Sequence, residues 1–383
     1  MLWSKQYAEF GLSDIYEKVQ NGERLSYEDG MRLFECKNPL AVGALAFSMR
    51  LRLHGKNTYF VRNRHINYSN ICLINCLFCA FRRKENEEGA FTQTHETILE
   101  KVCADDGIPF AEVHVVGGCH PTLRLSWFEE LFKKILIARP KAVIKAFTAM
   151  EIAYFAKQEK CSVLEVLERL KLSGLSMLTG GGAEIFEPVL RKYLCPNKIS
   201  ADEYLSIHGT AHSLGLKSNC SMLFGHIENF AQRVDHLCRL REQQDKSGGF
   251  VCFIPLPYLP QNNELSGEYQ EKLAKIFDNA QFKNNSDVHM GLERLRTIAI
   301  ARLMLDNIPH IKAYWVMLGV KTAQAALAFG ADDLDGTIVE EHIGHMAGAN
   351  SSQALTRTEL EQMIKDSGLT PVSRDPLFRK TAQ

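Results

Sequence analysis

From Tyr59 to Ile338, short apolar runs of strand length alternate eight times with helical stretches, and this alternation constrains the fold more than any other feature. The runs cover residues 59–68, 111–116, 143–148, 175–178, 217–223, 250–255, 311–317 and 333–338. Helical periodicity occupies residues 96–104, 127–138, 163–172, 201–214, 231–243, 291–305 and 322–329 between them, and 357–367 after the last. Two of these helices carry explicit start signals. Ser200 with Glu203 and Thr356 with Glu359 are capping boxes, each flanked by an apolar staple (Ile199 with Tyr204, Leu355 with Leu360). Eight strand–helix units predict an α/β fold, a TIM-type (βα)8 barrel.

Residues 1–56 lack the alternation and show apolar residues at three- and four-residue spacing, with a weak capping box at Ser26 and Asp29. They are expected to form a helical extension, leaving 57–370 as the barrel and 371–383 as a C-terminal tail. A domain of ~300 residues buries roughly three quarters of its unfolded surface, so no disulfide staples are needed. No low-complexity tract, linker or fixed-period repeat interrupts the chain.

Lys+Arg and Asp+Glu are both 45, giving a formal net charge of zero. That balance supplies no field for nucleic acid or an anionic membrane, and no polybasic run appears. The longest apolar stretch, residues 41–49, is broken by Arg50 and Arg52 and is too short to span a bilayer. The first residues lack the pattern of a secretory signal. Eleven cysteines, an odd number, fit reduced thiols in a cytoplasm better than a disulfide framework.

Three of them, Cys72, Cys76 and Cys79, fall in eight residues just after the first strand. Loops after barrel strands form the catalytic mouth. Three thiolates on one loop can hold three irons of a 4Fe-4S cluster and leave the fourth iron open to a small molecule. A structural zinc site, with Cys103, Cys119 or His65 completing it through the fold, and unligated core thiols are the alternatives. Other candidates sit at later strand ends. Gly117 and Gly118 offer either bare backbone to a ligand or a tight turn, and so does the glycine run 180–182 with Glu184. His226 and Glu228 end the fifth strand as pocket residues or a satisfied core pair. His342 and His345, near Asp333, Asp335, Glu340 and Glu341, suggest a metal or, without a third ligand at fixed spacing, a polar pocket wall. Lys145, Arg302 and Lys312 are cations for an anionic substrate or partners in structural ion pairs.

The spacing Cys72-x-x-x-Cys76-x-Phe78-Cys79, with an aromatic before the third cysteine, resembles the radical S-adenosylmethionine superfamily. Arg64–Asn70, Val116–Pro121, Gly180–Phe186, Gly225–Glu228 and Asp333–Thr337 resemble, more closely, its menaquinone futalosine-pathway branch, and within that the aminodeoxyfutalosine synthase family. The resemblance spans about residues 15–370. It implies a cytoplasmic enzyme with a 4Fe-4S cluster on Cys72, Cys76 and Cys79. Reductive cleavage of S-adenosylmethionine, the co-substrate, gives a 5′-deoxyadenosyl radical. That radical adds to the enolpyruvyl double bond of 3-[(1-carboxyvinyl)oxy]benzoate, and carboxylate loss gives 6-amino-6-deoxyfutalosine. It further implies Phe78 near the adenine, Gly117 and Gly118 at the methionine amine, and Glu184 at the ribose or methionine. Asn219 and Ser221 are further cofactor candidates. His226, His342, His345, Arg302 and Lys312 are expected at the substrate carboxylates. An electron donor such as flavodoxin or ferredoxin is implied, with no nucleic-acid or membrane partner. The nearer alternative is the sibling cyclic dehypoxanthine futalosine synthase family, which abstracts hydrogen; the farther one is a non-catalytic zinc-binding barrel.

Overall fold

The computed structural model describes residues 7–104, 111–277, 290–338 and 341–381. Glu340, named above, lies outside them. Among the described residues the strands are β1 (Asn57–Val61), β2 (Asn63–Asn67), β3 (Glu112–Val116), β4 (Val143–Ala146), β5 (Leu175–Leu178), β6 (Lys217–Phe224), β7 (Phe250–Pro257), β8 (His310–Ile311), β9 (Asp333–Gly336) and β10 (Thr370–Arg374). β2 to β8 lie in chain order in one seven-stranded parallel sheet, and β1 lies between β9 and β10 in a second parallel sheet. The second sheet closes the first. Lys312, one residue past β8, bridges Asp333 of β9, and the Thr337 hydroxyl, one residue past β9, donates to the Asn63 carbonyl of β2 at 3.0 Å. Eight strand positions therefore ring one interior, as a (βα)8 barrel requires.

Strand alternation decides what that interior contains. In β3, Glu112, His114 and Val116 share the inward face, and Val113 and Val115 face the helices. The register sets His65 of β2 beside His114, and His114 beside Lys145 of β4, in one row across three strands. Outside, helix Leu125–Ala138 buries Phe128, Leu131, Phe132 and Ile135, a single stripe at helical spacing. Each such side chain contributes about 1.5–3 kcal/mol on burial. The N-terminal extension forms helices Ser13–Asn21, Tyr27–Glu35 and Pro39–His54; the third buries Val42, Leu45, Ala46 and Met49 and packs on helix Met290–Met304.

The differences from the sequence expectation have identifiable causes, some local and some long-range. The run 59–68 divides at Arg62, so one extended segment serves both sheets. The run 311–317 leaves the sheet early, because Trp315 turns inward to donate its indole N–H to the Gly336 carbonyl at 3.0 Å and opens helix Trp315–Leu318. The third strand stops before Phe147, whose φ of 62° cannot continue a strand, and Thr148 with Glu151 then caps an additional helix, Ala149–Glu159. A second additional helix, Pro188–Leu194, starts with proline in its first turn. β10, from the expected tail region, pairs in parallel with β1.

Candidate active site

The cysteine loop follows β2 and is fastened on three sides. The Leu73 N–H donates to the Cys119 carbonyl at 3.1 Å, the Cys119 N–H returns a bond to Cys72 Sγ at 3.2 Å, and the Leu77 N–H donates to the Leu194 carbonyl at 2.9 Å. Cys72 Sγ also accepts the Ile74 N–H at 3.4 Å. The neighbouring Cys119 thiol, outweighing burial and aided by those N–H groups, brings the Cys72 thiol down to about 6; burial instead pushes Cys76 up. The strand end at Gly118 runs so close that a Cβ there would lie 2.2 Å from the Ile71 carbonyl oxygen and 2.7 Å from Cys72 Cβ. Only glycine permits that approach. The Tyr68 hydroxyl locks the arrangement, lying 2.8 Å from both the Gly118 carbonyl oxygen and Glu151 Oε1.

From this loop a cavity of about 310 Å³ runs into the barrel. Phe78, Cys79, Gly117, the glycines 180–182, Glu184, Asn219 and Ser221 line its mouth. Leu223, Ile254, Leu256 and Met317 form an apolar wall, and His65, His114, Lys145, Lys312 and Asp335 form its floor. Glu184 takes a left-handed backbone conformation, φ 50°, and pairs with Lys198, whose ammonium stands 5.5 Å from the centre of the Phe78 ring. Asn219 Oδ1 is buried and accepts no hydrogen bond from the described residues, whereas Ser221 is committed to the Gly180 carbonyl at 2.6 Å.

The floor is charged yet internally balanced. Lys145 Nζ lies 2.5 Å from Glu112 Oε1, and Lys312 Nζ lies 2.6 Å from Asp335 Oδ1. Burial disfavours the Glu112 carboxylate, but the Lys145 ammonium and His114 outweigh it and hold Glu112 well below the carboxylate range. His65 and His114 stack with ring centres 4.4 Å apart, and burial with mutual repulsion pushes His65 down to about 3, so it is a neutral imidazole.

The expected substrate residues separate into four places. Lys312 is in the floor. His342 and His345 are just beyond β9, where the His342 N–H donates to Asn67 Oδ1 at 3.3 Å. His345 Nδ1 lies 3.2 Å from Glu341 Oε2, and that hydrogen bond raises the imidazole to about 9. His226 is packed beneath the end of β6; its Nε2 donates to the Leu223 carbonyl at 3.1 Å and Nδ1 accepts the Ile227 N–H at 2.7 Å. Arg302 lies at the opposite, N-terminal end of the strands, fully buried and ion-paired with Asp332. His54 and His310 join it there.

Two family models cover most of the chain: the radical SAM superfamily matches residues 66–240, and the CofH/MqnC C-terminal region matches 247–382. The aminodeoxyfutalosine synthase of Thermus thermophilus is 41% identical over 369 residues, 96% of this chain and 95% of that protein. The chain belongs to the aminodeoxyfutalosine synthase family of radical S-adenosylmethionine enzymes. A 5-amino-6-(D-ribitylamino)uracil–L-tyrosine 4-hydroxyphenyl transferase from Methanopyrus kandleri is 36% identical over 345 residues, 89% of each protein. The crystal structure of methylornithine synthase superposes with a TM-score of 0.72 at 18% identity, covering 93% of this chain and 96% of that one, and at that identity it shows the fold alone.

Radical S-adenosylmethionine enzymes use a 4Fe-4S cluster and S-adenosylmethionine, and the donor set here fits that cluster. A single tetrahedral zinc draws four ligands to about 2.0–2.3 Å and hence into mutual contact. Among the described residues, His54, His310 and Asp332 are the set with ligand atoms all within 4.8 Å of one another; the sulfurs of Cys72, Cys76 and Cys79 do not all gather that tightly, and three soft thiolates on one loop suit an iron–sulfur cluster. At the His54 set the Arg302 guanidinium already neutralises Asp332.

Lys198 and Glu151 of this radical S-adenosylmethionine enzyme escaped the sequence reading, and Tyr68 entered it only as part of the Arg64–Asn70 stretch, with no role. Thr148-x-x-Glu151 is a capping-box signal directly after a strand and could have revealed Glu151. Lys198 carries no such signal, because only the fold-back after helix Pro188–Leu194 brings it to the cysteine loop. No described helix is long and apolar enough to cross a membrane.

Proposed function

We propose that the enzyme joins the adenosyl carbon of S-adenosylmethionine to the enolpyruvyl group of 3-[(1-carboxyvinyl)oxy]benzoate, with loss of a carboxylate, to form 6-amino-6-deoxyfutalosine for menaquinone biosynthesis. The 41% identity with the Thermus thermophilus protein over nearly the whole of both chains carries this reading. When bound by Cys72, Cys76 and Cys79, the cluster supplies one low-potential electron to the sulfonium of S-adenosylmethionine.

The chain's own residues bind and aim. The Gly117 carbonyl faces the methionine amine, and Lys198, already beside Glu184, meets the methionine carboxylate. Phe78 lies along the adenine. Asn219 Oδ1, an unpartnered buried acceptor, receives a hydrogen bond from a ribose hydroxyl or the adenine amine. Leu223, Ile254, Leu256 and Met317 exclude water around the enolpyruvyl carbon and hold the aryl ring in place. Lys312 and Lys145 supply the floor cations for a substrate carboxylate. His345, kept cationic by Glu341, stands behind the rim. The electron donor is a small carrier such as flavodoxin or ferredoxin, and the eleven unpaired cysteines support a cytoplasmic location.

The test is anaerobic reconstitution with iron and sulfide, followed by dithionite, S-adenosylmethionine and the enolpyruvyl-benzoate, read by mass spectrometry. An adenosylated, decarboxylated product is expected from the wild type, and neither cluster nor product from Cys76→Ala. Formation of 5′-deoxyadenosine without adduct would move the substrate assignment to a hydrogen-abstracting sibling such as cyclic dehypoxanthine futalosine synthase.

A further inference from the structure

Cys119 is a fourth thiol at the cysteine loop and belongs to no part of the three-cysteine motif. It is buried at 4% exposure at the end of the β3 turn, whereas Cys72 is only half-buried. Two backbone contacts register the pair: the Cys119 N–H on Cys72 Sγ at 3.2 Å and the Leu73 N–H on the Cys119 carbonyl at 3.1 Å. Both residues are thus held against each other from both directions. Gly118 enforces the approach, since any side chain there would push the two strands of the contact apart. Cys195, the other additional buried thiol near the loop, adjoins Cys76 instead.

We propose that Cys119 is the resolving thiol for Cys72, so that when the chain carries no cluster a peroxide closes a reversible Cys72–Cys119 disulfide. The half-buried sulfur of Cys72 attacks one peroxide oxygen, breaking the O–O bond to give Cys72 sulfenic acid and one water. The Cys119 sulfur then forms the S–S bond and expels the sulfenic oxygen as a second water. The two sulfurs together lose two electrons and two protons, and one peroxide becomes two waters. While the bridge exists, Cys72 cannot ligate iron. It is equally protected from irreversible oxidation to the sulfinic acid, and a dithiol returns it to service.

The test follows the bond instead of turnover, so its outcome is independent of the substrate assignment. Full-length protein stripped of iron by a chelator and reduced, then freed of reductant, is treated with hydrogen peroxide, alkylated and digested for mass spectrometry. The expected result is one cross-linked peptide pair joining Cys72 to Cys119, lost on dithiothreitol treatment. Iron uptake by the peroxide-treated protein should fall roughly fivefold or more and recover with dithiothreitol. In Cys119→Ala, Cys72 should accumulate as sulfinic acid and iron uptake should not recover. Free, alkylated Cys72 and Cys119 in the treated wild type would overturn the proposal, as would a bridge from Cys72 to any other cysteine. Both are read on the wild-type chain whether or not the variant folds.

Discussion

Raising the pH through the acid-to-neutral range should weaken the folded chain through one carboxyl, that of Glu151. It is 2% exposed and accepts the Thr148 N–H at 2.7 Å, the Tyr68 hydroxyl at 2.8 Å and the Gly117 N–H at 3.3 Å. Burial nevertheless pushes its pKa from 4.5 up to about 7, because the hydrogen bonds only partly offset the loss of water. A carboxyl whose folded pKa exceeds its unfolded value holds its proton more tightly when folded. Its contribution is therefore fully present below pH 4.5 and is lost as the pH rises to about 7, where the folded group ionises too. At 1.36 kcal/mol per pKa unit that gap amounts to about 3 kcal/mol. Glu151→Gln abolishes the titration and keeps an acceptor for Tyr68 and Gly117, giving up about 1 kcal/mol of the Thr148 cap. Urea denaturation of both proteins from about pH 5 to about pH 8 checks the reasoning: the stability of the variant minus that of the wild type should climb by about 2–3 kcal/mol across the series. A difference that stays level across that range would refute a buried, proton-holding Glu151.

A methyl at Gly118 meets backbone at 2.2 Å, and backbone cannot rotate away, so Gly118→Ala should cost about 3 kcal/mol or more and displace the cysteine loop. Reconstituted iron per chain should fall close to zero; a full iron complement would show that the loop tolerates the shift. Arg302→Met leaves the Asp332 carboxylate buried without its guanidinium and should lower stability by about 3–5 kcal/mol in thermal or urea melts. Its KM for the benzoate should be unchanged, and a raised KM in the folded variant would place Arg302 at the substrate after all.

Several elements were legible from local patterns because local physics fixes them. The helix 163–172 has the bounds its periodicity indicated, since Ser162 and Glu165 cap its start and Val166, Leu167 and Leu170 form its buried stripe. The 311–317 run was misread as strand because an apolar run of that length is equally at home in a buried helical turn, and the Trp315 bond to Gly336 that decides between them is non-local. The helix Ala149–Glu159 went unread although its capping box was present, because a strand reading extended to Thr148 consumed the cap.

By itself, the sequence determined that this chain is a parallel strand–helix barrel carrying three cysteines on its first catalytic loop. Those properties depend on periods of two and 3.6 residues, on caps and on ligand spacing, all confined to a few neighbouring positions. Only the tertiary structure decided which cations meet the cavity. Lys312 and Lys145 come inward through strand register, Lys198 through a fold-back after an unanticipated helix, and Arg302 points to the far end of the strands, where Asp332 waits for it. The reason is geometric: a charge's partner is set by closure of the barrel, which brings together residues far apart in the chain, and no local pattern records that distance.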